Sequence, residues 1–410
     1  MIGEIKTIVV IDPISSGRFY GQAIRTKGYC ALALVTQKKL SGRLQKLYGV
    51  ETFDKVFFVE DFEDACRQLQ EARVCAVIPG SDSALPLCDR LADHFKVLGN
   101  PTQTSSARID KFTMKCYLEA AGVQAVSAYL LSKDDFAKAP GPEISFPVVV
   151  KPRYGTGAQN VKVCESRNEV YNAFLDIENS VYANSSCEQV ALFEPFVEGV
   201  EQFIVTANLG GSRRQILCFA QYQKIRVGQN PSVYRTIRSL SPDSTSAKQA
   251  FAYVKEANSA LQADVGINDV EFKANSEGYY FIEQNGRLPG ANVPNLIELC
   301  TGLDCYSLNI DIYLGHASDK ISKPVYTKHF CICCLISDRT GYVSGVEGVA
   351  LVEELESFHE ICIFVEDDEL IGATENFLSS WGVVYLIHED SSRLQRESEI
   401  VHEKLKLKFK

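Results

Sequence analysis

Lys151 ends the apolar run Phe146-Pro147-Val148-Val149-Val150, and Tyr154-Gly155-Thr156-Gly157-Ala158 follows almost at once. A strand that delivers a lysine to its end, then a turn with two glycines and a threonine, suits a polyphosphate. Glycine lets backbone N–H groups approach an anion closely, and lysine adds a point charge. No Gly-Lys-Ser/Thr follows, so this is not a Walker A loop. A glycine turn after a strand is also common with no ligand. A second group is acidic. Asp269-Val270-Glu271-Phe272-Lys273 and Tyr279-Tyr280-Phe281-Ile282-Glu283 read as two strands joined by Asn275-Ser276-Glu277-Gly278. Such a hairpin can place Glu271 beside Glu283, and Glu283 shares a face with Asn285 two residues on. Two carboxylates and an amide oxygen suit Mg²⁺, with Mn²⁺ as an alternative, that keeps waters and takes phosphate ligands. The competing reading is two solvent-exposed strand acids. The third group is Glu194-Pro195-Phe196-Val197-Glu198-Gly199-Val200-Glu201. It could hinge over a nucleotide, with the backbone of Phe196 and Val197 reading adenine and Glu201 accepting both ribose hydroxyls.

The surrounding elements must position these groups. In the first hundred residues the apolar runs 7–11, 29–35, 55–59 and 74–78 alternate with polar or helix-like stretches. The runs lack period-2 alternation, which predicts strands buried on both faces of a doubly wound parallel sheet. Ligands of such sheets sit beyond the carboxyl ends of the strands. Ser15-Ser16-Gly17 and Pro79-Gly80-Ser81-Asp82-Ser83 fall there, as ligand loops or as ordinary turns. After Gly99-Asn100-Pro101, residues 104–106 can cap a helix carrying Ile109, Phe112, Cys116 and Ala120, with Gly122 just past its end. Pro140, Gly141 and Pro142 mark a linker. From His329 on, an α+β unit is predicted, with strands at 330–336, 361–365 and 383–387. The terminal alternation of lysines over 404–410 reads as an edge strand whose charges face water. The predicted division is 1–104, 105–185, 186–324 and 325–410.

Composition sets the class. The chain has 410 residues, 46% hydrophobic and 23% charged, which excludes wholesale disorder. Its net charge of −10 argues against a general nucleic-acid partner, though not against a local phosphate pocket. No run of about 20 apolar residues exists, so no membrane span is expected. The apolar run 8–11 is a strand's length and is not read as a secretion signal. Fourteen scattered cysteines then imply a reducing cytoplasm and mostly buried free thiols. Cys331-Ile332-Cys333-Cys334 contains a CxxC, but no second pair stands at zinc spacing. His316 and His329 lack partner motifs.

The order of the three groups resembles the ATP-grasp superfamily: lysine with glycine loop, then Glu194…Glu201, then Glu271…Glu283-x-Asn285. Arg287 and the Asp110-Lys111 pair on the earlier helix strengthen it. The resemblance covers roughly residues 1–325. It implies an ATP-grasp fold with an N-terminal α/β domain, and ATP with Mg²⁺ as cofactors. Lys111 and Lys151 would contact phosphates beneath the loop Gly155, Thr156, Gly157 and Ala158. Glu194, Phe196 and Val197 would bind adenine, Glu201 the ribose, and Glu271, Glu283 and Asn285 the metal. Arg287 would stabilise the reacting phosphoryl or acyl-phosphate group. Several stretches, among them 78–83, 106–114, Tyr222-Gln223-Lys224 and 282–290, look like the L-amino acid ligases, which make dipeptides. That likeness implies amino-acid substrates near Ser81, Asp82, Arg287 and Gly290. Asp82 departs from the pattern, which has glutamate there. The C-terminal unit could lean over the site and present Asn376. Arg235 is assigned to a substrate carboxylate or phosphate, against the alternative of a surface arginine. A homodimer is compatible with this reading. An ATP-grasp carboxylase or purine-pathway ligase, or a non-catalytic nucleotide-binding protein, stays open.

Overall fold

The computed structural model describes residues 5–36, 47–138, 145–155, 157–179, 190–227, 230–317 and 321–410. Thr156 of the predicted phosphate loop, and Pro140, Gly141 and Pro142 of the predicted linker, lie outside the described residues. The N-terminal sheet consists of β1 (Lys6–Ile11), β2 (Cys30–Val35), β3 (Lys55–Phe58) and β4 (Arg73–Pro79), parallel and in the order β3-β2-β1-β4. Successive residues of β1 serve two different cores. Ile8 and Val10 pack with Ile297 and Ile310, whereas Val9 and Ile11 pack with Leu69 and Leu91. This two-sided burial is why the strand lacks polar alternation.

Helix Lys111–Ala120 follows. Its N-cap is Asp110, whose carboxylate accepts from the N–H of Phe112 and Thr113. The cap expected at 104–106 is therefore corrected: Thr102–Thr104 and Ser106–Arg108 form single 3₁₀ turns ahead of it. Gly122 has a φ of +71° just past the helix, a conformation glycine adopts without steric cost. A small sheet holds β5 (Tyr129–Ser132), β6 (Val148–Pro152), β7 (Lys162–Cys164) and β8 (Val190–Pro195) in the order β5-β8-β6-β7. Helix Arg167–Glu178 covers one face, packing Phe174 against Val148, Val150 and Phe193.

The central sheet has eight strands, all antiparallel. Five are β9 (Val200–Leu209), β10 (Arg214–Val227), β11 (Asn230–Leu240), β12 (Val265–Asn275) and β13 (Gly278–Asn285). Chain order continues with β14 (His329–Leu335), β15 (Gly341–Glu347), β16 (Phe358–Ile363), β17 (Leu370–Ile371), β18 (Gly382–His388) and β19 (Lys406–Phe409). The sheet order is β13-β12-β9-β10-β11-β14-β18-β16. Three C-terminal strands, β14, β18 and β16, thus extend the central sheet through the β11–β14 pairing, with Ile237 opposite Ile332. The other three form a separate sheet in the order β17-β15-β19, with Lys406 and Lys408 of its edge strand β19 exposed. Helices Val293–Thr301 and Cys305–Tyr313 contribute to the core shared by the N-terminal and central sheets. No helix among the described residues is long and apolar enough to cross a membrane.

Candidate active site

A cavity, partly open to solvent, lies between the small sheet and the central sheet. Lys111, Lys151, Gly155, Ala158, Glu194, Phe196, Val197, Glu201, Glu271 and Glu283 all line it. Residues from five separate sequence regions meet there because the small sheet folds over the open face of β9–β13.

The basic end is built by β6, β8 and helix Lys111–Ala120. Lys151 Nζ lies 3.0 Å from Glu194 Oε1, and Lys115 Nζ lies 2.8 Å from the same oxygen. All three side chains are buried. Burial alone would raise the Glu194 pKa, but Lys151 and Lys115 hold it below the ordinary carboxylate value. Burial also pushes the Lys115 ammonium down to about 8, against the pull of Glu194. Lys111, at the first turn of its helix, lies 3.0 Å from Glu283 Oε2 and donates to the Gly155 carbonyl at 2.8 Å. The glycine loop bends through positive φ at Gly155 (+133°), Gly157 (+67°) and Ala158 (+58°).

The acidic end is the β12–β13 hairpin. Its register sets Glu271 directly opposite Glu283 and Asp269 opposite Asn285. An irregularity next to Glu271 leaves Ile282 without a partner, a bulge that re-aims side chains beside a site. Burial, then the charges of Glu283, Asp269 and Glu201, push the Glu271 pKa well above the ordinary value. Tyr222 donates to its Oε1 at 2.9 Å. Glu283 is held low instead, because Lys111 and Lys151 outweigh its burial. Among the described residues no three His, Cys, Asp or Glu side chains are arranged as a ready-made metal cluster. The donor set still fits a hard divalent cation. Two carboxylates face each other, their oxygens are hard donors, and the cavity leaves room for waters and phosphates.

Further along the hairpin, Arg287 meets Asp82 through Nε (3.0 Å) and a terminal nitrogen (2.8 Å). Asp269 lies 3.5 Å from it, and Asn285 donates to Asp269 at 2.9 Å. Burial raises the Asp269 pKa to about 7, although Arg287 opposes this. Asp82 reaches Arg287 because the loops after β1 and β4 touch. A Cβ on Gly17 would stand 2.4 Å from the Gly80 carbonyl, so only glycine permits the approach. Ser16 ties the same corner down by donating to the Pro289 carbonyl at 2.6 Å. Gly290 lies against Ser15. Ser81 meets Ser83 at 3.0 Å, and none of Ser81, Asp82, Asn285, Arg287 and Gly290 lines the cavity.

The hinge is locked by two lysines. Lys273 donates to the Val197 carbonyl at 2.7 Å, with its ammonium 4.2 Å from the centre of the Phe196 ring. Lys224 lies 2.5 Å from Glu201 Oε1 and 4.3 Å from the Tyr234 ring centre. The C-terminal unit does lean inward. Leu378 would touch a Cβ on Gly157, Phe377 packs edge-on to Tyr234, and Asn230 donates to the Glu375 carbonyl at 2.6 Å. Asn376 itself caps the short turn Phe377–Ser379 and does not line the cavity.

Arg235 requires a correction. Strand alternation turns it away from the cavity that its neighbour Tyr234 lines, and it pairs with Glu399 on helix Ser391–Lys404. Lys115, Lys273, Tyr234 and Asp269 were not singled out from sequence. Spacing held the signal for three of them. Lys115 is one helical turn beyond Lys111, and Asp269 and Lys273 lie two residues either side of Glu271 on one strand face. The described cysteines are free thiols, and Cys331, Cys333 and Cys334 are buried in β14.

Comparison with known proteins agrees with this geometry. Residues 144–295 match the family described as ATP-grasp domain. Dapdiamide A synthase from Enterobacter agglomerans is 25% identical over 313 residues, covering 74% of this chain and 72% of that protein. The crystal structure of an L-amino acid ligase from Bacillus licheniformis superposes with a TM-score of 0.81 at 17% identity, covering 99% of both chains. The biotin carboxylase domain of Hydrogenobacter thermophilus 2-oxoglutarate carboxylase, solved with MgADP and bicarbonate, gives 0.66 at 16% identity, covering 99% of this chain and 91% of that one. The chain has the ATP-grasp fold, and residues 144–295 match the ATP-grasp domain family.

Proposed function

We propose that this chain is an ATP-dependent carboxylate–amine ligase that joins amino acids into a dipeptide. The observation that carries the reading is one cavity with buried lysines at one end and opposed carboxylates at the other. ATP placed across it would set its phosphates between Lys111, Lys151 and the Gly155–Ala158 turn. The hinge at Phe196 and Val197 would take adenine, and Glu201 the ribose once Lys224 yields. Glu271, Glu283 and Asn285 would hold Mg²⁺, which screens the charge between phosphate oxygens and carboxylates when bound.

In the first step a substrate carboxylate oxygen attacks the γ-phosphorus. The bond to the β–γ bridging oxygen breaks, and ADP leaves. An amine nitrogen then attacks the acyl carbon, the acyl–oxygen bond to phosphate breaks, and the amine loses a proton. Several oxyanions converge in the first step, so the residues' main task is electrostatic. Lys111, Lys151 and Arg287 supply fixed positive charge that need not reorganise. Arg287 is held for this by Asp82 and Asp269. An acyl phosphate hydrolyses in water, so the glycine loop, backed by Leu378, would shield it.

The test is a phosphate-release screen over pairs of amino acids with ATP and Mg²⁺, with mass spectrometry of the products. Release that needs an amino-acid pair and yields its dipeptide supports the reading. Release driven by bicarbonate instead transfers the chain to the carboxylase alternative.

A further inference from the structure

Lys115 does not line the cavity, yet it is buried and shares one carboxylate oxygen with Lys151. It stands four residues after Lys111 on helix Lys111–Ala120, so both ammonium groups leave the same helix face. One reaches the metal hairpin through Glu283, the other reaches the hinge strand through Glu194. Lys115 also donates to the Val126 carbonyl at 2.9 Å, and Val126 is part of the cavity wall. The charge count decides what this does. A buried carboxylate with one lysine is a neutral pair. With two lysines the group keeps one net positive charge, and Lys151 and Glu194 line the cavity with Lys115 behind them.

We infer that Lys115 is a positioning residue for nucleotide phosphates: by sharing Glu194, it prevents that carboxylate from cancelling the charge of Lys151. The inference rests on the ATP-dependent reading above. Without Lys115, Glu194 would pair with Lys151 alone, and the phosphate end would lose its surplus charge. Glu194 on β8, Lys151 on β6 and Glu283 on β13 are the charged groups that face Lys115.

The test is calorimetric binding of MgADP to the full-length chain, with KM for ATP measured in parallel. Lys115→Met should weaken MgADP binding about tenfold and raise KM for ATP alike, with kcat changed less than threefold. Lys115→Arg, which keeps the charge, should stay within about threefold of wild type. Lys115→Gln, neutral and similar in size, should match Lys115→Met in MgADP binding and replaces it should Lys115→Met fail to fold. Wild-type affinity in folded Lys115→Met or Lys115→Gln, or a loss in Lys115→Arg as large as in Lys115→Met, overturns the inference. Failure of the wild-type chain to bind MgADP overturns the nucleotide reading itself, which is a separate result.

Discussion

The two ends of the cavity solve opposite electrostatic problems with the same physics. At the lysine end, two ammonium groups share Glu194, and positive charge is in surplus. At the hairpin end, Glu271 and Glu283 face each other near Asp269 and Glu201, and negative charge is in surplus. Burial penalises each uncompensated charge, so Lys115 is pushed down and Glu271 pushed up. Each end is therefore incomplete without a ligand of opposite sign, an anion at one and a cation at the other. A nucleoside triphosphate with its divalent metal, as proposed above, would satisfy both together. A site whose own charges were fully paired would gain far less from binding them.

The sharpest way to break the comparison is to empty one end. Glu283→Ala should lower kcat about 10³-fold or more in the phosphate-release assay while circular dichroism stays native, because the hairpin loses its metal ligand and Lys111 its partner. Full activity in that variant would sink the metal assignment. Lys151→Met strikes the other end and should lower kcat/KM for ATP about 10²-fold, in line with the loss of one fixed charge partner.

A smaller effect separates binding from stability. The folded-state pKa of Glu271 lies above its unfolded value, so the native state holds a proton the unfolded chain releases. Its contribution to stability is present in acid and is lost as pH rises from the usual carboxylate range through the raised value. Glu271→Gln should therefore melt about 2 °C or more above wild type at pH 7.5 without Mg²⁺, with a smaller difference at pH 5. Equal melting points at pH 7.5 would mean that the hairpin stores no repulsion. The smallest change is expected at Arg235. Arg235→Ala should leave kcat/KM within about twofold and cost at most about 1 kcal/mol, the usual worth of a rim ion pair. A drop of tenfold or more would return that arginine to the site.

Local pattern carried much of the site. The lysine before a glycine turn, the hinge acids and the hairpin with Glu271 and Glu283 each depend on near neighbours in the chain, where strand period and turn chemistry decide the geometry. The four buried N-terminal strands were legible for the same reason, since burial on both faces leaves unbroken apolar runs. Tertiary structure alone decided what crosses long separations. It brought Lys115 to Glu194 and Asp82 to Arg287, and it joined β14 to β11 so that β14, β18 and β16 extend the central sheet. It also turned Arg235 toward Glu399, where the residue's type had suggested substrate. Ion pairing of this kind has no sequence period. Which buried charge meets which depends on how sheets pack, and that is settled by the whole core at once.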